Sequence, residues 1–216
     1  MIDMNQVSDA TRLALEHLRE PIGFQWTIVF VLGLTFYIYA NEIQTGRWNV
    51  VAAGFAVWFA DWINELLNCA ILHLTGKAPL WAETGATSYQ ILVGINVETS
   101  FLFLIMGVVY AKMLPPDRGM KIFGIDNRIV MALVLSTIAT AVELVLNAAG
   151  VLNWYWTFWD SPWGVPMIIV FGYGWFFLAA AWAYDAATGA QRWLRVGTLA
   201  TIAGVLAVAF GEMGWL

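Results

Sequence analysis

Apolar residues run along this chain in blocks too long for a soluble core, separated by short polar breaks. Measured against the ~20 residues that cross ~30 Å of hydrocarbon, the blocks predict six spans, at about 24–41, 48–74, 88–112, 128–151, 165–187 and 192–213. Residues 8–20 carry another pattern. Ala10, Leu13, Ala14, His17 and Leu18 recur on one helical face, with Ser8 placed to cap the start and Pro21 to close the segment. That segment is expected to lie on the membrane surface. No linker or low-complexity tract divides the remainder, so residues 1–22 read as an N-terminal amphipathic helix and 23–216 as a single helical transmembrane domain. The fold class is all-α: a polytopic membrane protein of about six transmembrane helices with an interfacial helix at its N-terminus.

Composition strengthens the membrane reading. The chain is 61% hydrophobic and 12% charged, with a mean hydropathy of +0.71, where soluble domains carry about 25% charge. A net charge of −5, scattered over loops and spans, speaks against nucleic acid and against a polybasic lipid tether. Basic residues are unevenly placed. Arg47, Lys112, Arg118, Lys121, Arg128, Arg192 and Arg195 follow the first, third and fifth spans, and only Arg12, Arg19 and Lys77 fall on the opposite face. The positive-inside rule puts the first group in the cytoplasm and both termini outside. A multi-pass integral membrane protein is expected, in the plasma membrane of a bacterium or the endoplasmic reticulum of a eukaryote. The single cysteine, Cys69, reads as a packed thiol.

The spans are not uniformly apolar. The second contains "ADWINELLN", where Asp61, Glu65 and Asn68 follow i, i+4, i+7 spacing and share a face. The fourth puts Glu143 and Asn147 on one face in the same way. Counted inward from the non-cytoplasmic ends, Glu65 is nine residues from Leu74, Glu98 ten from Ser88 and Glu143 eight from Val151. At ~1.5 Å per residue all three lie ~12–15 Å below one edge. Asn96 and Tyr173 reach that level, Asn68 and Asn147 lie slightly above it, and Asp61 lies one turn deeper. Carboxyl groups at that depth cost several kcal/mol unless they face a cavity, pair or stay protonated. One shared polar layer meets the requirement, with one or more members kept as neutral acids.

Several chemistries lack their residues. Neither His17 nor His73 reaches carboxyl depth, which disfavours metal, haem and Ser/His/Asp catalysis, and no mid-span Lys offers a retinal Schiff base. No cofactor is expected. A buried acid beside indole faces suits protonation of an alkene and stabilisation of the resulting carbocation. Of the 13 tryptophans, Trp62 and Trp175 lie deep enough for substrate contact, whereas Trp154, Trp156, Trp159 and Trp163 read mainly as interfacial anchors. Glu83, in the loop "TGKAPLWAETGATS", is expected to be exposed unless that loop covers a cavity mouth; Asp185 and Glu212 read as solvated helix ends, and Asp160 as a cap for the fifth span.

Two stretches add a resemblance. "LWAETGATSYQILVGINVETSFLF" resembles the third-helix region of emopamil-binding-protein-like (EXPERA) membrane proteins, with Trp-x-Glu ahead of an Ile-Leu pair and a Glu-Thr in the span. "VFGYGWFFLAAAWAYDA" resembles the last helix of that family. The likeness covers about five spans and implies a sterol isomerase or a sterol-binding relative, with Glu98 as an acid/base residue and Trp175 as a cation-stabilising wall. The His-x-x-x-Glu of the family's second helix reads Asp61-x-x-x-Glu65 here, and an Asn before the last-helix Trp reads Gly172. In design, though less in sequence, the chain is similar to integral-membrane terpene cyclases. The expected function is acid/base isomerisation or cyclisation of a sterol- or isoprenoid-like lipid held in the bilayer. Glu65 and Glu98 would exchange the proton, Asp61 and Glu143 would assist, and Asn68, Asn96, Asn147 and Tyr173 would line the site with Trp62 and Trp175. A proton-coupled solute transporter and a non-catalytic lipid-binding protein remain the alternatives. Membrane lipids are the other expected partners, and homo-oligomerisation is left open.

Overall fold

The computed structural model describes residues 2–20 and 23–216; Pro21 lies outside the described residues. Helix α1 (Asp9–Glu16) precedes α2 (Trp26–Gln44) and α3 (Trp48–Thr75). Strand β1 (Trp81–Glu83) and the hairpin β2 (Gln90–Leu92) and β3 (Ile95–Asn96) lead into α4 (Val97–Met113). A second hairpin, β4 (Lys121–Ile122) and β5 (Ile125–Asp126), connects to α5 (Asn127–Ala148), which is followed by β6 (Leu152–Trp154). The next span is composite: α6 (Gly164–Met167), a π-helical segment Ile168–Gly174 and α7 (Trp175–Tyr184); α8 (Gly189–Glu212) completes the bundle.

Among the described residues, five helical stretches are long and apolar enough to cross a membrane: Trp26–Gln44, Trp48–Thr75, Asn127–Ala148, Gly164–Tyr184 and Gly189–Glu212. The third predicted span is corrected. Residues 90–96 form a β-hairpin where helix was expected, and α4 runs for only 17 residues. The fourth helix likewise stops at Ala148, because residues 152–154 pair as a strand.

Helix α3, about 42 Å long at ~1.5 Å per residue, is the central post, packed against α4, α7 and α8. Its contact with α4 is close because two glycines meet there. A Cβ on Gly107 would stand 2.6 Å from the Ala53 carbonyl oxygen and 2.7 Å from Gly54 Cα. Beside this crossing Tyr39 Oη donates to the Leu104 carbonyl at 3.1 Å, tying α2 to α4. Small residues at a helix crossing and a side chain satisfying a carbonyl are how helices associate where no water drives them together.

The two ends of the bundle differ. At one end the buried Glu42 pairs with Arg47 and Lys112, and Arg128 makes a two-point bond to Asp185, which Arg118 also reaches. Asp185 is therefore a partly buried partner of two arginines, not a solvated helix end. At the other end Ser8 N–H donates to the Lys77 carbonyl and Trp215 stacks on His73, so both termini gather there. Helix α1 is capped by Ser8 as its sequence implies, with Oγ accepting from Thr11 N–H at 3.2 Å. Its buried face is rotated from expectation: Thr11 and Ala14 are covered, while Leu13 is exposed. The helix rests on β1, and the chain just beyond it bridges to Gln90, so this face meets protein instead of lipid. Asp160 does not cap the composite span, whose N-cap position is Trp163.

Candidate functional site

Strand β1 pairs antiparallel with β6, with Trp81 opposite Trp154, Ala82 opposite Asn153 and Glu83 opposite Leu152. Strand side chains alternate, so successive residues serve opposite faces. Trp81, Glu83 and Leu152 line a cavity of about 400 Å³ inside the bundle. Ala82 and Asn153 line a smaller pocket of about 130 Å³ beneath α1. The two-stranded sheet thus separates the interior from the terminal end. Non-helical backbone is tolerated at such a position because protein covers it.

Four carboxyl groups line the large cavity: Asp61 and Glu65 from α3, Glu83 from β1 and Glu143 from α5. Glu65 Oε1 accepts from Trp81 Nε1 at 2.8 Å, and Trp81 is held in turn by Asn68, whose Oδ1 accepts from Leu80 N–H at 2.8 Å and whose Nδ2 donates to the Trp81 carbonyl at 2.8 Å. Glu83 Oε1 accepts from Thr99 Oγ1 at 2.9 Å. Glu143 Oε1 accepts from Tyr173 Oη at 2.8 Å. Asp61 Oδ2, Glu65 Oε2 and Glu83 Oε2 are buried and accept nothing from the described residues. Glu83, on a strand between spans, has its carboxyl pushed by burial up to about 8, against the pull of the Thr99 hydroxyl. No Lys, Arg or His lines the cavity, and no three His, Cys, Asp or Glu side chains gather to hold a metal, among the described residues.

Aromatic faces complete the wall. Trp81 and Trp159 stack at 6.2 Å between ring centroids, and Phe103 stacks on Tyr173 at 6.2 Å. Tyr173 reaches the cavity from the π-helical segment, where the wider turn changes the register of side chains along the span. Asn64 Nδ2 donates to the Gly172 carbonyl of that segment at 3.4 Å. Such segments recur at functional sites.

Six expected site residues do not line the cavity. Glu98 sits in the first turn of α4 and accepts from Ser88 N–H at 3.0 Å and from the Thr87 hydroxyl, clamping the loop before the hairpin. The depth count that placed it beside Glu65 assumed unbroken helix over residues 88–98, of which 90–96 form a hairpin instead. Asn96 caps α4, accepting from Thr99 N–H at 2.8 Å. Trp62 packs with the cluster between α3 and α8, Trp175 packs edge-on to Phe176, and Asn147 stands outside the lining. Asn68 works from behind, through Trp81. In their place the structure brings in Glu83, Trp81, Trp159, Thr99 and Asn64. The one sequence signal for these was Trp81-x-Glu83, whose period of two suits a strand.

Gly94 makes the arrangement possible. A Cβ there would collide with Trp81 Nε1 and stand 2.6 Å from both Asn68 Nδ2 and Glu65 Oε2. Gly94→Ala is expected to push Trp81 off Glu65 and to cost about 1–3 kcal/mol, the usual penalty of overpacking. A lowered unfolding midpoint in detergent checks this; a midpoint equal to that of the unaltered protein would show that the neighbours can yield.

The profile of a family described as an uncharacterized membrane protein family matches residues 8–212. A protein of Archaeoglobus fulgidus, described as uncharacterized, is 43% identical over 211 residues, covering 97% of this chain and 99% of the relative. Neither description names a sterol isomerase or a terpene cyclase. No solved structure matches the chain.

Proposed function

The chain belongs to this uncharacterized membrane protein family, and from the chemistry of its cavity we propose that it is a cofactor-independent acid/base enzyme, isomerising or cyclising an apolar unsaturated lipid of sterol or isoprenoid type. The observation that carries the reading is the union of four carboxyl groups with stacked aromatic faces in one otherwise largely apolar cavity of the helical bundle. Glu83, neutral at pH 7, gives its proton to one alkene carbon as the double-bond electrons form the new C–H bond. The positive charge left on the neighbouring carbon rests against the faces of Trp81 and Trp159. Glu65 then removes a proton from an adjacent carbon, whose C–H electrons become the shifted double bond. Attack by a second alkene before that step closes a ring. One proton is lost by Glu83 and one gained by Glu65, so no oxidant or reductant enters. The Tyr173 bond keeps Glu143 oriented on the opposite wall, and Asp61 tunes Glu65 from one turn away.

The test is carbon-bound deuterium. Purified protein incubated in D2O with a panel of sterols and linear isoprenoids is expected to return a substrate or product carrying deuterium on carbon, seen by mass spectrometry. Deuterium-free lipids across the panel, together with proton-dependent solute uptake into liposomes, would replace the enzyme reading with the transport one.

A further inference from the structure

The cavity is not closed on all sides. Leu102 and Val109 of α4 and Ile138 and Val142 of α5 line it and are nonetheless 41–55% exposed, so the gap between these helices is its mouth. The two helices are tied at the basic end, where Tyr110 Oη donates to the Arg128 carbonyl at 2.9 Å. Away from that tie α5 leans on the π-helical segment and α7, and the gap opens. The side chains at the mouth are all apolar, and α5 is one of the stretches long and apolar enough to cross a membrane, so the mouth suits acyl chains better than water.

We propose that the gap between α4 and α5 is the substrate port, through which an elongated isoprenoid lipid slides in sideways with its uncharged, unsaturated end first, while any charged headgroup stays among the bilayer lipids. This rests on the acid/base reading of the cavity. Three observations select the occupant. The mouth is apolar and continuous with the carboxyl cavity. Four carboxyl groups with no cation among them offer a phosphate or a carboxylate no counter-charge and suit an uncharged end. About 400 Å³ is near the low end of the ~300–1,000 Å³ that holds drug-sized ligands, so the cavity takes one end of a long lipid and leaves the remainder outside.

The probe is geranylgeranyl diphosphate with a photoactivatable diazirine near its unsaturated terminus, added to the protein in phosphatidylcholine nanodiscs. Irradiation is expected to label cavity residues between Trp81 and Thr99, located by peptide mass spectrometry. Ile138→Trp, which fills the mouth, is expected to lower that label at least tenfold. Ile138→Ala, which widens it, and Ile202→Trp on the lipid-facing side of α8 retain the label, which separates blocking from misfolding. Cavity label that survives Ile138→Trp, no cavity label in the unaltered protein, or strong cavity label from a probe whose diazirine sits beside the diphosphate would each overturn the port. Deuterium uptake in the same samples distinguishes the two ideas. Label blocked by Ile138→Trp without deuterium on carbon upholds the port and removes the acid/base reading, and deuterium uptake undiminished by Ile138→Trp does the reverse.

Discussion

Glu65→Gln and Glu83→Gln are each expected to slow lipid conversion by about 10²–10⁴, the usual worth of a positioned general acid or base. Glutamine keeps the shape of each side chain and can still accept from Trp81 or Thr99 through its carbonyl oxygen, so the bundle should melt close to the unaltered temperature. The two variants differ in their pH profiles. Because burial pushes the Glu83 carboxyl up to about 8, its neutral form persists at pH 7 and is lost as pH rises through that value. Conversion by the unaltered protein should therefore decline above about pH 8, and Glu83→Gln should remove that decline along with most of the rate. Conversion at full rate by either variant would take the residue out of the reaction.

Asp185→Ala is expected to destabilise the protein by about 3–5 kcal/mol, the cost of leaving one member of a buried ion pair without its partner. The Arg128 side chain is only 4% exposed, and its guanidinium donates to both Asp185 oxygens at 2.8 and 3.0 Å. Its other donations, to the Pro115 carbonyl and Asn127 Oδ1, satisfy hydrogen atoms without neutralising charge. Replacing both members, as Arg128→Met with Asp185→Leu, should recover most of the loss because no buried charge is then stranded; Arg118, half exposed, keeps its pair with Asp126. Unfolding midpoints in detergent provide the measurement. A double variant no more stable than Asp185→Ala would mean that the pair contributes more than mutual neutralisation.

Features set by neighbours in sequence were legible in the chain. Ser8 as a cap, the length of α3 and the shared face of Asp61, Glu65 and Asn68 all follow from helical spacing over a few turns. Among judgements that required distant segments, the meeting of Asp61, Glu65, Glu143 and Tyr173 in one cavity held, and several others failed. Glu83 was read as exposed because loops ordinarily run over the surface; its burial depends on β1 finding β6 about seventy residues away. Asp185 was read as solvated because its arginine lies 57 positions back. Glu98 went astray for another reason: its depth was counted along a helix, and seven residues of hairpin upset the count. The rotation of α1 has a similar source, since the covering surface is β1 and the chain around Gln90, which no local pattern reveals.

Loops normally absorb insertions and deletions over generations with little harm. The stretch from Gly76 to Leu80, which leads into β1, cannot, because Trp81 and Glu83 face the cavity only by virtue of their parity along that strand. One residue gained or lost between Asn68, which anchors Leu80 and Trp81, and the paired strand would turn Ala82 inward and carry both cavity side chains out. A change of two residues would restore the facing. Length variation here is therefore expected to come in even steps, a constraint on inheritance imposed by the pleat of a three-residue strand.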